Sequence, residues 1–322
     1  MTKIDISIVI LTKNEEKYID STLDMVFRQD IDKKFEVIII DSGSRDSTLD
    51  IARHYPVEIS EIPTQEFGHG RTRNLGAQIA KGEIVVFLNA DATPVNKDWL
   101  GILIANFEKD EKIVGVYSRV YPRSNCNPLR FWEILNENAE GRQVRYIEDF
   151  NGYQHMKPRD KRKFIAFQSI SCAARKNSLL KYPFENIEFG EDLEWSKRVM
   201  ENGYKIVFEH KSIVLHSHNF YCSFIRTFKK HFDDAKLNNC LLNIWSWQNF
   251  PILAGHIVYK ILRDVSFILS LNRDMFYKIG WLFYSPIIRI AEFFGIIAGI
   301  NSRCLSYRLQ SVSSLVNESK KG

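Results

Sequence analysis

Glu83-Ile84-Val85-Val86-Phe87-Leu88-Asn89-Ala90-Asp91-Ala92-Thr93-Pro94 carries an unbroken apolar run into an acid. Val85 to Leu88 suit a strand buried on both faces, and the proline that follows begins a new segment. Ligands of open α/β sheets bind outside the carboxyl ends of the strands, so Asp91 is placed to reach a ligand or its metal ion. A strand followed by an ordinary turn explains this segment alone equally well. The choice between the two rests on the segments around it.

Upstream, the same design occurs twice. Ile6-Ser7-Ile8-Val9-Ile10-Leu11 is a buried strand that ends in Thr12-Lys13-Asn14-Glu15, residues that commonly open a helix. Phe35 to Ile40 is a second strand, Asp41-Ser42-Gly43-Ser44 a turn, and Asp46-Ser47-Thr48 the start of a helix reaching about His54. Consecutive strand-turn-helix units imply a parallel sheet. Val57 to Ile62 reads as a third strand, and the glycine-bracketed Phe67-Gly68-His69-Gly70 precedes a helix from Arg71 to Lys81. Downstream, Lys97 to Asp110 has helical spacing and Ile113 to Tyr121 alternates as a strand. Residues 122–163 read as a long loop, ending in the basic Lys157-Pro158-Arg159-Asp160-Lys161-Arg162-Lys163, which suits a solvated face or a lid. Strand character resumes from Phe164 to Ala174.

Gly190-Glu191-Asp192-Leu193-Glu194 opens a helix that stops at Asn202-Gly203. Acids in a first helical turn are favoured by the helix dipole, but capping explains a third acid less well than the first two. Short strands at Tyr204–Phe208 and Ser212–Leu215 lead to His216-Ser217-His218, whose rings share one side if the strand continues.

The chain has 322 residues, 45% of them hydrophobic, enough for one large α/β domain with an appendage or for two domains, and too apolar for a disordered chain. Lys and Arg number 44 against 39 Asp and Glu, a net charge of +5 that suits an anionic substrate or a membrane surface. No basic stripe interleaved with aromatics argues for nucleic acid. Cys126, Cys172, Cys222, Cys240 and Cys304 form no Cys-x-x-Cys pair and read as reduced thiols of a cytosolic protein. The first residues lack a signal-peptide core, so the catalytic part is expected not to be secreted. From Tyr221 onward helices dominate. Ile252–Leu271 and Ile279–Ile300 are apolar but contain charges, among them Arg289 and Glu292, together with Pro286. Charges at a bilayer centre cost about 2.5–3.5 kcal/mol each on insertion scales, which favours helices lying in the membrane interface over a true span. Lys260, Arg263, Arg273 and Lys278 would then face lipid phosphates, while an ordinary helical subdomain or a homo-oligomer face is the other reading of these helices.

Ile8 to Glu15, Asp41 to Thr48, Asn89-Ala90-Asp91 and Gly190-Glu191-Asp192 together resemble the ordered signature of the family 2 glycosyltransferases of the GT-A fold. Within that family, Glu66-Phe67-Gly68-His69-Gly70-Arg71-Thr72-Arg73-Asn74 followed by Asn89 to Pro94 is similar to the bacterial rhamnosyltransferases of surface polysaccharide synthesis. The resemblance covers about Lys3 to His218. It implies a Rossmann-like, mostly parallel sheet flanked by helices over residues 1–220; residues 221–322, beyond the resemblance, read from their own pattern as a C-terminal amphipathic helical region that associates with membrane.

The activity implied is inverting transfer of a sugar, L-rhamnose from dTDP-L-rhamnose, to a lipid-linked or growing polysaccharide at the cytoplasmic face of the inner membrane. A UDP- or GDP-sugar enzyme is the nearest variant, and a non-catalytic nucleotide-sugar-binding scaffold the alternative of another class. The resemblance gives Thr12, Asn14, Glu15, Asp41, Ser42, Gly43, Arg71, Asn74, Asn89 and Ala90 to the donor, with Glu15 on the ribose, Asp41 on the pyrimidine edge and Arg71 on the diphosphate. It gives Asp91, with His218, to Mg²⁺ or Mn²⁺; Asn89 stands where the family usually has another acid, which leaves a weaker metal site. Asp192 is implied as general base, with Glu191 supporting it. A departing nucleoside diphosphate needs its charge neutralised and an acceptor hydroxyl needs its proton removed, so carboxylates, a cation and arginine suit the chemistry independently.

Overall fold

The computed structural model describes residues 3–137, 141–217, 223–244 and 250–302. In chain order the elements begin β1 (Ile6–Thr12), α1 (Ile19–Phe27), β2 (Phe35–Asp41), α2 (Thr48–Ala52), β3 (Glu58–Glu61), α3 (His69–Ile79), β4 (Ile84–Asn89) and β5 (Thr93–Pro94). Next come α4 (Trp99–Ile104), β6 (Ile113–Tyr121), α5 (Pro128–Glu137), β7 (Gln143–Arg145), α6 (Phe150–His155), α7 (Pro158–Phe164), β8 (Ser171–Arg175), α8 (Lys176–Lys181), α9 (Glu191–Glu201) and β9 (Lys205–Leu215). Three helices follow: α10 (Phe224–Leu242), α11 (Phe250–Ser270) and α12 (Met275–Asn301). The chain divides into two compact units, one of Met1–Ser124, Glu133–Met156 and Lys163–Ser217, the other of Asn125–Trp132, Lys157–Arg162 and the described part of His218–Gly322.

The first unit holds a nine-stranded sheet ordered β3-β2-β1-β4-β8-β6-β9-β5, with β7 also on β9. β1, β2, β3, β4, β6 and β9 run one way and β5, β7 and β8 against them, so the sheet is mostly parallel. Val85, Val86, Phe87 and Leu88 of β4 are all buried, because β1 and β8 flank the strand and helices cover its faces. Each such side chain contributes about 1.5–3 kcal/mol on burial. A Cβ at Gly76 of α3 would lie 2.5 Å from Val9 Cγ1 of β1, so glycine lets this helix rest close on the sheet.

Several expectations need correction. Residues 122–163 are not one long loop: α5, β7, α6 and most of α7 lie there, and the basic run 157–163 forms nearly all of α7. The apolar residues after Phe164 are not strand until Ser171; their pattern comes from packing, with Phe167 against Tyr117 (5.4 Å between ring centroids) and Trp195 (5.2 Å). The two short strands before His216 are one strand, β9, whose register against β6 shifts between Ser118 and Arg119. The helix placed over Lys97–Asp110 is regular only from Trp99 to Ile104. Cys126 and Cys172 are buried and outside any disulfide, but Cys240 is disulfide-bonded, against the expectation of thiols throughout.

In the second unit, α11 and α12 form an antiparallel pair with its polarity turned inward. Arg289 is fully buried and donates to Asp264 Oδ2 at 2.7 Å and Glu292 Oε2 at 2.7 Å. Lys260 pairs with Glu292, and Arg263 lies 2.6 Å from Asp264 and 3.8 Å from the Trp132 ring centroid. Lys260 and Arg263 are therefore not directed at lipid, as the sequence suggested; buried carboxylates claim them. α12 packs backbone-close on α10, since a Cβ at Gly295 or Gly299 would collide with the carbonyl oxygens of Phe228 and Phe232. Outward, α12 presents Phe276, Ile279, Phe283, Ile287, Ile290 and Phe294, an exposed apolar stripe at helical spacing. α12 is long and apolar enough to cross a membrane by length and composition.

Candidate active site

Thr12, Asp41 and Asn89 end β1, β2 and β4, and the ladder sets them side by side, Thr12 opposite Asp41 and Leu11 opposite Asn89. The loops that follow are tied together. Asn14, in the left-handed region at φ 53°, donates its N–H to Ser44 Oγ at 2.8 Å and accepts from Arg45 N–H at 2.8 Å. Ser42 N–H reaches Thr12 O at 3.1 Å, and Glu15 N–H reaches Thr48 Oγ1 at 2.7 Å. Thr12 Oγ1 is buried with no hydrogen-bond partner.

Asp41 is fully buried and accepts from the N–H groups of Gly43 and Ser44, both at 2.8 Å, and from the Ser44 hydroxyl at 2.5 Å. Gly43, at φ +91°, supplies the backbone this turn requires. The Asp41 carboxylate, which the resemblance gave to the pyrimidine edge, is thus oriented by its own turn.

The carboxylate of Asp91 is almost wholly buried, and His216 Nδ1, at the end of β9, lies 3.1 Å from its Oδ1. Arg123 Nη2 donates to the Asp91 carbonyl and to Thr93 Oγ1, both at 2.8 Å, and its guanidinium stands 4.1 Å from the Tyr18 ring centroid. Glu15 belongs to the same group. Burial, followed by the charges of Asp91 and Asp46, pushes its carboxyl up to about 7, against the pull of Arg123. Asn89 is half-buried, and its N–H donates to Ile170 O at 2.9 Å; Ala90 is buried behind the turn.

The acids of α9 sit next to that bond. Ser169, adjacent to Ile170, donates its N–H and hydroxyl to Asp192 Oδ2 at 3.0 and 3.1 Å, while Leu193 N–H donates to Oδ1 at 2.8 Å. Asp192 is half-buried at the helix start and oriented by these three bonds. Glu191 is buried and takes a 2.5 Å bond from Arg73 Nη1. Burial and the Asp192 charge push the Glu191 carboxyl up, and Arg73 opposes them. The extra acid of the first turn therefore has a structural partner. Gly190, at φ +77°, supplies the left-handed backbone through which the chain enters the helix.

Two expected donor contacts are not gathered here. Asn74 Nδ2 donates to Phe184 O at 2.8 Å and Asn74 Oδ1 accepts from Phe184 N–H at 2.9 Å, an amide clasp on the wall of the cavity that Arg71 also lines. Arg71 is exposed, 3.4 Å from Glu66 Oε2, and lines a cavity of about 380 Å³ with Ile62, Leu75, Gln78 and Asn186. His218 lies outside the described residues. His216 was visible in the His-Ser-His triplet, whereas nothing near Arg123 in the sequence signals its approach to Asp91.

Residues 7–182 match the family described as Glycosyl transferase family 2. The O-antigen chain rhamnosyltransferase WbaN of Salmonella anatum is 29% identical over 249 residues, 76% of this chain and 75% of the relative. The O-antigen chain rhamnosyltransferase RfbN of Salmonella typhimurium is 27% identical over 273 residues, 82% of each. Among solved structures, S. aureus TarS 1-349 in complex with UDP-GlcNAc matches at TM-score 0.52 and 17% identity, covering 87% of this chain and 70% of that one. Mannosyltransferase PcManGT from Pyrobaculum calidifontis in complex with GDP-Man and Mn²⁺ matches at TM-score 0.51 and 15% identity, covering 98% and 81%. The structural likenesses bear out the expected fold, and the family match spans more than half of the sequence. The chain is a glycosyltransferase and belongs to glycosyl transferase family 2.

Proposed function

We propose that this glycosyltransferase transfers L-rhamnose from dTDP-L-rhamnose, with inversion, to a lipid-linked or growing polysaccharide. The observation that carries the reading is the shared backbone at Asn89, Ile170, Ser169 and Asp192, which sets a half-buried carboxylate beside the carboxyl end of β4. The similarity to two O-antigen rhamnosyltransferases supports the sugar. In this reading Asp192 Oδ takes the proton of the acceptor hydroxyl as its oxygen bonds to the anomeric carbon and the bond to the diphosphate oxygen breaks. A single base opposite the leaving group inverts the centre, so a β-L-rhamnosyl donor gives an α-L-rhamnoside. Residues 1–220 carry donor binding and catalysis, with Glu15 at the ribose.

Among the described residues no three ligating side chains gather around one point; a divalent ion would have the pair Asp91 and His216, 3.1 Å apart, with diphosphate and water supplying the other positions. Mg²⁺ or Mn²⁺ held by Asp91 and His216 would supply charge neutralisation for the departing diphosphate. Full-length protein in detergent, given dTDP-rhamnose, UDP-GlcNAc and GDP-mannose with a polysaccharide acceptor, should release free nucleotide at a useful rate from the first alone. Release from another donor would reassign the sugar, and release from none with donor still bound would favour a scaffold.

Residues 221–322 attach the enzyme to membrane through the outward stripe of α12. Because buried acids hold Lys260 and Arg263, the apolar face dominates, assisted by Arg273 and Lys278 near the α11–α12 turn. Phe283→Asp with Ile290→Asp should weaken flotation with anionic vesicles more than about a hundredfold, since each central Asp costs about 2.5–3.5 kcal/mol in lipid. Moderate salt should change flotation of the parent far less. Unchanged flotation of the double variant, with a dimer that dissociates, would assign the stripe to a subunit interface.

A further inference from the structure

We propose that Arg123 grips the donor diphosphate and supplies the neutralising charge that the Asn89 position does not help to recruit as a metal-binding acid. This deepens the glycosyltransferase reading and rests on it. Arg123 follows β6, far in sequence from the family's donor motifs, yet its Nη2 is fixed at 2.8 Å to both the Asp91 carbonyl and Thr93 Oγ1. The guanidinium lies over Tyr18, in the loop that carries Glu15, so its plane is set before any ligand arrives. Its Nε is buried with no hydrogen-bond partner, a costly condition that an anionic oxygen would relieve.

The charge balance points the same way. Asp91 and Glu15 face one another closely enough to repel, and Arg123 interacts with both. A diphosphate entering there adds negative charge, and Asn89 contributes no carboxylate to hold a compensating ion tightly. With both Nη2 hydrogens on Asp91 and Thr93, the stacked guanidinium keeps its positive charge and its Nη1 hydrogens for phosphate oxygens. Arg71, the arginine expected for this task, points into the cavity beside Glu66.

The test is calorimetry of full-length protein with dTDP, UDP and GDP, in chelator and in Mn²⁺, for the parent, Arg123→Gln and Arg123→Lys. The proposal expects the parent to bind a nucleoside diphosphate in chelator. Arg123→Gln should then lose about 10- to 100-fold in affinity, the size of one charged hydrogen-bonded contact, with Arg123→Lys intermediate because it keeps charge and loses the planar group anchored on Tyr18, Asp91 and Thr93. Affinity for the matching nucleoside without phosphates should stay within about twofold, which a general collapse of the site would not allow. Thermal unfolding of each variant checks that it is folded. A folded Arg123→Gln that binds the diphosphate as the parent does overturns the proposal alone. A parent that binds none of the three nucleotides overturns it together with the reading beneath it.

Discussion

Asp192→Asn is expected to lower turnover by about 10²–10⁴-fold while leaving donor affinity unchanged, because it removes the proton acceptor and keeps the shape. The geometry makes this a sharp substitution. Asp192 is held by Ser169 N–H, Ser169 Oγ and Leu193 N–H, so an amide oxygen can keep the contact at Oδ2 or the one at Oδ1 but cannot accept from both sides. The helix start persists with one weaker bond. Initial rates at saturating donor and acceptor, beside calorimetry of the nucleotide, separate the two quantities. A folded variant that keeps more than about a tenth of parental turnover would place the base elsewhere.

Arg73→Met should destabilise the protein by about 3–5 kcal/mol, the usual cost of stranding one partner of a buried ion pair. Both side chains are nearly inaccessible, at 3% and 6% exposure, so Glu191 has no water to turn to. It would then protonate or displace α9, and the neighbouring Asp192 would shift with it. Removing both charges, Arg73→Met with Glu191→Leu, should recover most of the stability but not the activity, since Arg73 also reaches Ser169 O at 3.4 Å. Denaturant midpoints of the single and double variants decide the matter; a single variant within about 1 kcal/mol of the parent would mean that the pair contributes little.

Strands such as β1, β2 and β4 were legible because a strand covered on both faces must be apolar throughout, and parallel units punctuate themselves with capping residues. The placement of candidate side chains was legible at those punctuation marks, as with Asp91 after β4 and Asp192 at the start of α9. It was not legible where direction around a helix matters. Arg71 and Arg73, two residues apart on α3, point to nearly opposite sides, one into a surface cavity and the other to Glu191. Asn74 looked like a ligand contact because an amide suits a sugar, but it suits the Phe184 backbone equally. Lys260 and Arg263 looked like a lipid-facing stripe because Glu292 reaches Lys260, and Arg289 reaches the Asp264 beside Arg263, only through tertiary packing, and composition assigns no inside or outside to such charges.

The insertion of β8 between β4 and β6 has a consequence for biosynthesis. When β4 leaves the ribosome, β1 can pair with one of its edges, but the strand for the other edge begins roughly 80 residues later. At about 5–20 residues/s that edge waits about 4–16 s, presenting Val85, Val86, Phe87 and Leu88 with unpaired amides to any other nascent strand. Completion of the sheet, and with it the seating of Ser169 beside Asp192, belongs to the late part of synthesis. Slow translation between Asn89 and Ser171 should therefore raise the yield of aggregated chain more than an equal delay placed after Leu215.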